Sequence, residues 1–297
     1  MRTVTAGIDD LPESVRAVFA DPPPGRVSVV EAAGYSWHNV EWGELADPPL
    51  LLVHGVTSNS ETFWRVGPSI AAAGRRVVAV DLPGHGMTGG WRGRHRWIET
   101  ATDLAGFIRA AGLEGADLAI VGHSWGAMTA ASLPAAGYRP GRLILLDPPA
   151  LRVAELVILA ADPTEQRYEA LADAIGAIRA SGARWSEGDV IAKAHGLTQI
   201  DNAAVRAIYL ENGNWDAGLA ALSDPAARGV PTWIIRGDPG QGGLIADESV
   251  PALVERVGED RLVTIPGASH SPQRTHPEAT ILAILAAADE AIERPTA

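Results

Sequence analysis

The feature that most constrains this chain is a rhythm. Short apolar runs recur along it: "LLLV" (50–53), "RVVAV" (76–80), "DLAIV" (117–121), "RLILL" (142–146), "TWIIR" (232–236) and "RLVTI" (261–265). Stretches of helical character at 60–73, 97–111, 125–137, 248–257 and 275–292 separate most of them. A strand with one wet face alternates apolar and polar residues, whereas these runs are nearly continuous, so both of their faces must be covered. The pattern predicts an α/β fold. Its sheet is mostly parallel, doubly wound and of the eight-stranded type, with helices on both faces reached by right-handed crossovers. "RVSVVE" and "SWHNVEW" do alternate, and they predict an antiparallel pair turning near Ala33-Gly34. The rhythm breaks once, between Pro148 and Arg228, where helical patterns follow one another with no convincing buried strand. The expected organisation is therefore a core made of 1–147 and 229–297, carrying a helical cap insertion at 148–228.

The 297 residues, 46% of them hydrophobic, suffice for a sizeable core. A formal net charge of −12 argues against nucleic acid and anionic membranes as partners, since both repel negative charge. Cysteine is absent, which excludes disulfides, thiolate metal sites and a cysteine nucleophile. No run approaches the ~18 apolar residues of a membrane span. The opening "MRTVTAGIDDLPESVRAVFADPPPGR" has no uninterrupted apolar core, so a cytoplasmic protein is expected. Oligomeric state is not legible.

Chemistry concentrates in "LAIVGHSWGAMTAA" (118–131), where a buried strand runs through Gly122-His123-Ser124-Trp125-Gly126 into small helix formers. A sharp strand-to-helix turn forces the serine into a strained backbone conformation and leaves no room for side chains at the two glycines. The strain exposes the hydroxyl at the carboxyl edge of the sheet, beside a helix N-terminus. A serine that only caps a helix needs no such flanks.

Three further stretches complete a resemblance to the α/β-hydrolase family that covers nearly the whole chain. "HGVTSNSETFW" (54–64) resembles the family's oxyanion loop, and "DLPGHGMTGG" (81–90) its Asp-x-x-Gly-His-Gly loop. "GHSWGA" resembles the nucleophile elbow, and "IPGASHSPQRTHPEA" (265–279) the histidine loop after the last strand. The resemblance implies that Ser124 is the nucleophile and His270 the base. It also implies that the backbone amides of Val56 and Trp125 form the oxyanion hole. Asp81, His54, His85 and His123 then serve their own loops, and His276 a helix terminus. His38, His95 and His195 show no partner spacing. No cofactor is implied, and no metal, because ligand spacings such as His-x-x-x-His are lacking.

The acid is where this sequence departs from the family pattern. The usual Gly-x-x-Asp turn after the post-cap strand is missing from "IIRGDPGQGGLIAD", where Gly240 stands at the expected place. Two candidates remain, Asp147 in "LILLDPPAL" and Asp238, and both keep the chain order Ser…Asp…His. Asp147 is preferred because its spacing needs no shift; Asp247 fits a helix cap.

The resemblance implies hydrolysis of a carboxylic ester or lactone through an acyl-enzyme. A serine at the elbow argues against routes that need a carboxylate nucleophile. Trp125, and with it Trp64, Trp185 and Trp215 as expected pocket residues, suggest a small, largely apolar substrate. Proline-iminopeptidase, perhydrolase, C–C hydrolase and acyltransferase activities use the same triad. A non-catalytic binding protein on this fold is the rival from another class.

Overall fold

Strands β4 (Pro49–Val53), β5 (Arg76–Val80), β6 (Ala119–His123) and β7 (Arg142–Leu146) form the centre of the protein. The computed structural model, which describes residues 2–90 and 95–290, shows why their apolar runs are unbroken. Leu51, Val53, Val78, Val80, Ile120, Leu143 and Leu145 point into one core, and Leu50, Leu52, Val77, Ala79, Val121, Ile144 and Leu146 into another. Successive side chains of a strand face opposite ways, so each run supplies both cores in alternation. The first core is closed by α3 (Trp97–Ala110) and α4 (Trp125–Ala131), the second by α1 (Glu13–Ala20), α2 (Val66–Ala71) and α12 (Pro277–Asp289).

The remaining sheet strands are β1 (Arg2–Thr3), β2 (Arg26–Ala32), β3 (Tyr35–Trp42), β10 (Thr232–Arg236) and β11 (Leu262–Thr264), in the order β1-β11-β10-β7-β6-β4-β5-β3-β2. Registers such as Leu51 with Val78, Leu51 with Ile120 and Ile120 with Leu143 are parallel. Only β3 runs against its neighbours. The β2–β3 hairpin turns at Ala33 (φ 51°) and Gly34 (φ 82°), two positive φ values in a row, as a tight hairpin requires.

Among the described residues the sheet has nine strands, one more than expected. The extra one, β1, lies in the opening stretch, where two residues are too few to show a periodicity. Between β7 and β10 stand α5 (Val153–Ala161), α6 (Leu171–Ala180), α7 (Glu187–Thr198), α8 (Asn202–Leu210) and α9 (Leu219–Ser223). Besides its helices this segment holds two strands of two residues each. Ala150–Leu151 (β8) and Trp215–Asp216 (β9) pair antiparallel and tie its two ends together. Three helices are shorter than their patterns suggest. Residues 60–63 form a 3-10 turn ahead of α2, and α4 ends before Pro134, whose ring cannot continue a helix. A single turn, α11 (Pro272–Thr275), precedes α12, and positions 291–292 of the expected last helix lie outside the described residues. Helix α10 (Val250–Val257) completes the set. Among the described residues no helix is long and apolar enough to cross a membrane.

Because β4, β6, β7, β10 and β11 are parallel, their carboxyl ends share one edge of the sheet, where crevices form in open α/β sheets.

Candidate active site

Ser124 sits between β6 and α4 at φ 55°, ψ −122°, a conformation L-residues avoid at a cost of about 1–3 kcal/mol. Gly122 has the steric reason inferred from sequence, while Gly126 is hemmed in by the backbone at the end of β4. A Cβ on Gly122 would stand 2.3 Å from the Gly126 carbonyl oxygen, and one on Gly126 would stand 2.4 Å from that of His54. The turn aims the hydroxyl at His270, whose Nε2 lies 2.9 Å from Ser124 Oγ. His270 Nδ1 is 2.7 Å from Asp147 Oδ2.

Asp147 is fully buried at the end of β7, itself at φ 42°. Its Oδ1 accepts from Gly237 N–H (3.0 Å) and its Oδ2 from Leu244 N–H (2.9 Å), so three donors orient one carboxylate. Asp238, the other candidate acid, is corrected by the geometry. Its oxygens accept from Gly267 and Gly240 N–H (3.0 and 2.8 Å), which hold its pKa below the usual carboxylate value. It laces the loop after β10 to the loop carrying His270, and its own N–H donates to Ala268 O (2.8 Å).

The Val56 and Trp125 amides border the serine from the loop after β4 and the first position of α4. Among the described residues neither N–H has an acceptor, so both are free for an oxyanion. Thr57, next to Val56, is held at φ 55° by a contact that sequence reasoning missed. The buried Lys193 on α7 donates to Thr57 O (3.2 Å), Thr57 Oγ1 (2.8 Å) and Glu165 Oε2 (3.0 Å). Thr57 Oγ1 also donates to Glu165. All three ammonium protons are used, so this pair anchors the loop. The one signal in the sequence was a lysine amid the small apolar residues of "VIAKAHGL". Lys193→Met strips a partly buried carboxylate of its partner. It is expected to cost about 3 kcal/mol of stability, read as a lower urea midpoint at unchanged slope.

A cavity of about 630 Å³ opens above Ser124 and His270. Trp185 and Trp215 line it, as expected. Trp64 does not. Its Nε1 donates to Asp189 Oδ1 (3.0 Å) and its ring packs on Gly188, locking α7 to the loop after β4 instead of facing the cavity. The Trp125 indole is also turned away, packed among His54, His85 and His95 at centroid distances of 6.3, 5.2 and 5.9 Å. The apolar wall comes instead from Val56, Leu151, Ile158, Leu159 and Leu244, with Arg274 among the polar members.

Most histidines serve structure. His54 Nε2 accepts from Leu82 N–H (3.0 Å), and His123 Nε2 donates to His270 O (2.8 Å). Asp81 accepts from Ser60 N–H (2.6 Å) and Met87 N–H (2.9 Å), tying its own loop and joining it to the loop after β4. His38 and His195, without partners in the sequence pattern, pair with Asp81 (2.8 Å) and Glu61 (2.6 Å). Among the described residues no three His, Asp or Glu side chains are grouped to hold a metal.

Burial pushes four imidazoles below their ordinary pKa of 6.5: His54, His85 and His123, and His95 to about 4. Above pH 6.5 these groups are neutral whether folded or unfolded. Below it the unfolded chain takes up protons that the folded one refuses, so stability falls from pH 6.5 towards 4, by up to about 1.4 kcal/mol per group per pH unit. His38, raised by its hydrogen bond to Asp81, works the other way, adding stability that is lost as pH rises through its folded pKa. With four groups against one, the urea midpoint is expected to drop between pH 7.5 and 5.5; a flat midpoint contradicts this.

A sequence model described as Alpha/beta hydrolase family matches residues 50–283. An esterase of Mycobacterium tuberculosis is 31% identical over an alignment covering 93% of this chain and 94% of that one. The 2-(acetamidomethylene)succinate hydrolase of Mesorhizobium japonicum is 28% identical, covering 80% and 86%. A crystal structure of E-2-(acetamidomethylene)succinate hydrolase shares the fold with a TM-score of 0.73 at 23% identity, covering 88% of this chain and 97% of that one. An epoxide hydrolase of Caballeronia sordidicola is 37% identical over 37% of this chain, which spans 32% of that protein's length.

Proposed function

The chain belongs to the α/β-hydrolase family, and from that premise we propose that it hydrolyses a carboxylic ester or lactone of a small, mainly apolar substrate through a Ser124–His270–Asp147 triad. The observation that carries this reading is the unbroken hydrogen-bond chain of 2.9 and 2.7 Å from Ser124 Oγ through His270 to Asp147, at the floor of the cavity.

In the first half-reaction Ser124 Oγ bonds to the substrate carbonyl carbon while its proton passes to His270 Nε2. The carbonyl oxygen becomes an oxyanion facing the Val56 and Trp125 amides, each worth roughly 3 kcal/mol of barrier. The C–O bond to the alcohol breaks as His270 returns the proton to it. Water then repeats the sequence on the acyl-serine and releases the acid. Asp147 holds His270 with its proton on Nδ1 and stabilises the imidazolium; it takes no proton itself. Residues 148–228 act in this proposal as a cap that supplies Leu151, Trp185 and Trp215 to the cavity wall. A serine at position 124 disfavours epoxide opening, which would need a carboxylate there.

The test is a panel of p-nitrophenyl esters of graded acyl length, several lactones and an N-acyl compound. The last is included because one relative's name carries an acetamido group. Labelling with a fluorophosphonate probe, abolished in Ser124→Ala, is the expected companion result. An unlabelled wild type would favour the binding-protein alternative.

A further inference from the structure

Among the described residues two buried basic side chains reach the cavity wall, and one of the two has an ion-pair partner. Lys193 is held by Glu165 (3.0 Å). Arg274, on α11 four residues past His270, is 7% exposed and forms no ion pair among the described residues. Its Nη2 donates to Thr62 Oγ1 (2.9 Å) and, at 3.5 Å, to Ser58 Oγ. Both of these acceptors are neutral. Its Nε is buried with no acceptor, and among the described residues its Nη1 has none either. Its guanidinium lies over the Trp185 ring, 4.6 Å from the centroid.

Every nearby carboxylate is committed elsewhere. Asp189 and Glu165 act on Arg274 through space only. Asp189 accepts from Trp64 Nε1 (3.0 Å) and Ser186 Oγ (2.6 Å), and Glu165 from Lys193. At the cavity mouth Glu155 accepts from Arg152 N–H (2.8 Å) and Asp162 from Thr164 N–H (2.8 Å). A guanidinium cannot shed its proton to escape burial, so a buried arginine facing only hydroxyls is costly until an anion completes it. The planar donor fork, stacked on an indole, is the arrangement that takes a carboxylate through paired N–H···O bonds.

We propose that Arg274 is the recognition point for a carboxylate carried by the substrate, making the preferred substrates acidic esters, with an apolar body and one charged end. The word substrate rests on the hydrolase reading of the same cavity, whereas the carboxylate site can be tested without turnover.

Two matched pairs of esters read the preference: p-nitrophenyl hydrogen glutarate against p-nitrophenyl valerate, and 4-acetoxybenzoate against phenyl acetate. In at least one pair the wild-type kcat/KM is expected to favour the carboxylate-bearing ester. In Arg274→Met that ratio falls about tenfold or more, and in Arg274→Lys by less, since the charge stays and the fork is lost. A ratio unchanged in Arg274→Met for both pairs overturns the proposal. Using a ratio removes any general loss of activity that a structural role would cause.

Thermal unfolding of Ser124→Ala with and without glutarate reads the site with chemistry silenced. Stabilisation that disappears in Ser124→Ala/Arg274→Met supports the proposal, and equal or absent stabilisation in the two proteins overturns it. Should the methionine variants not fold, the ratio in Arg274→Lys and glutarate protection of Ser124→Ala decide the matter. If no ester is cleaved but glutarate protects only protein containing Arg274, the hydrolase reading fails and the carboxylate site stands. If all four esters are cleaved without preference and glutarate protects neither protein, the reverse holds.

Discussion

Ser124→Ala is expected to lower kcat on any ester the wild type cleaves by about a million-fold, with a melting temperature within about 2 °C of wild type. Among the described residues the side-chain hydroxyl has one partner, His270 Nε2 at 2.9 Å, and the positive φ of 55° is as strained for alanine as for serine. Folding therefore loses little, while the proposed nucleophile is lost outright. His270 and the two free amides remain, so a small rate above that in water should survive. A variant retaining a tenth of wild-type kcat would place the nucleophile elsewhere.

Asp147→Asn is expected to cost about 10⁴-fold in kcat, against a change within about threefold for Asp238→Asn on the same ester. The asymmetry follows from the donors each carboxylate serves. Asp147 accepts from Gly237 N–H, Leu244 N–H and His270 Nδ1. An asparagine offers one oxygen and one NH₂, so either Gly237 N–H faces the NH₂, or Leu244 N–H and His270 both do. In the second case the imidazole must accept at Nδ1 and carry its proton on Nε2, where it cannot receive the proton of Ser124. In the first, a buried N–H is left unpaired at about 1–3 kcal/mol, which should appear as a lower urea midpoint. Asp238 bonds to Gly240 and Gly267 and touches no reacting group, so its loss loosens a loop without changing the tautomer. The opposite ranking of the two variants would return the acid role to Asp238.

The parts of the site legible in the sequence are those governed by neighbours in the chain. Gly122 announces the turn because its steric demand, against the Gly126 carbonyl, arises within four residues of backbone, whereas Gly126 is kept small by the His54 carbonyl from a distant strand; the Ser124 and His270 loops each follow a recognisable apolar run. The acid was ambiguous for the same reason. Asp147 and Asp238 both end strands at the same edge, and nothing local says which one the imidazole meets. Trp64 and Trp125 were misjudged because proximity along the chain to the nucleophile or its loop says nothing about which way a ring turns. Lys193 and Arg274 left almost no trace, since a charged residue on a short helix reads as a solvated face until a second element covers it.

The sequence by itself determined the sheet, its two cores, the strained serine and the imidazole, because apolar period and backbone sterics act over a few residues. Only the tertiary structure decided what meets across long stretches of chain: Asp147 with His270, 123 residues apart, and Lys193 with Thr57, 136 apart. Those pairings depend on strand order and on where the inserted helices dock, and both are set by the summed burial of many side chains rather than by any short motif.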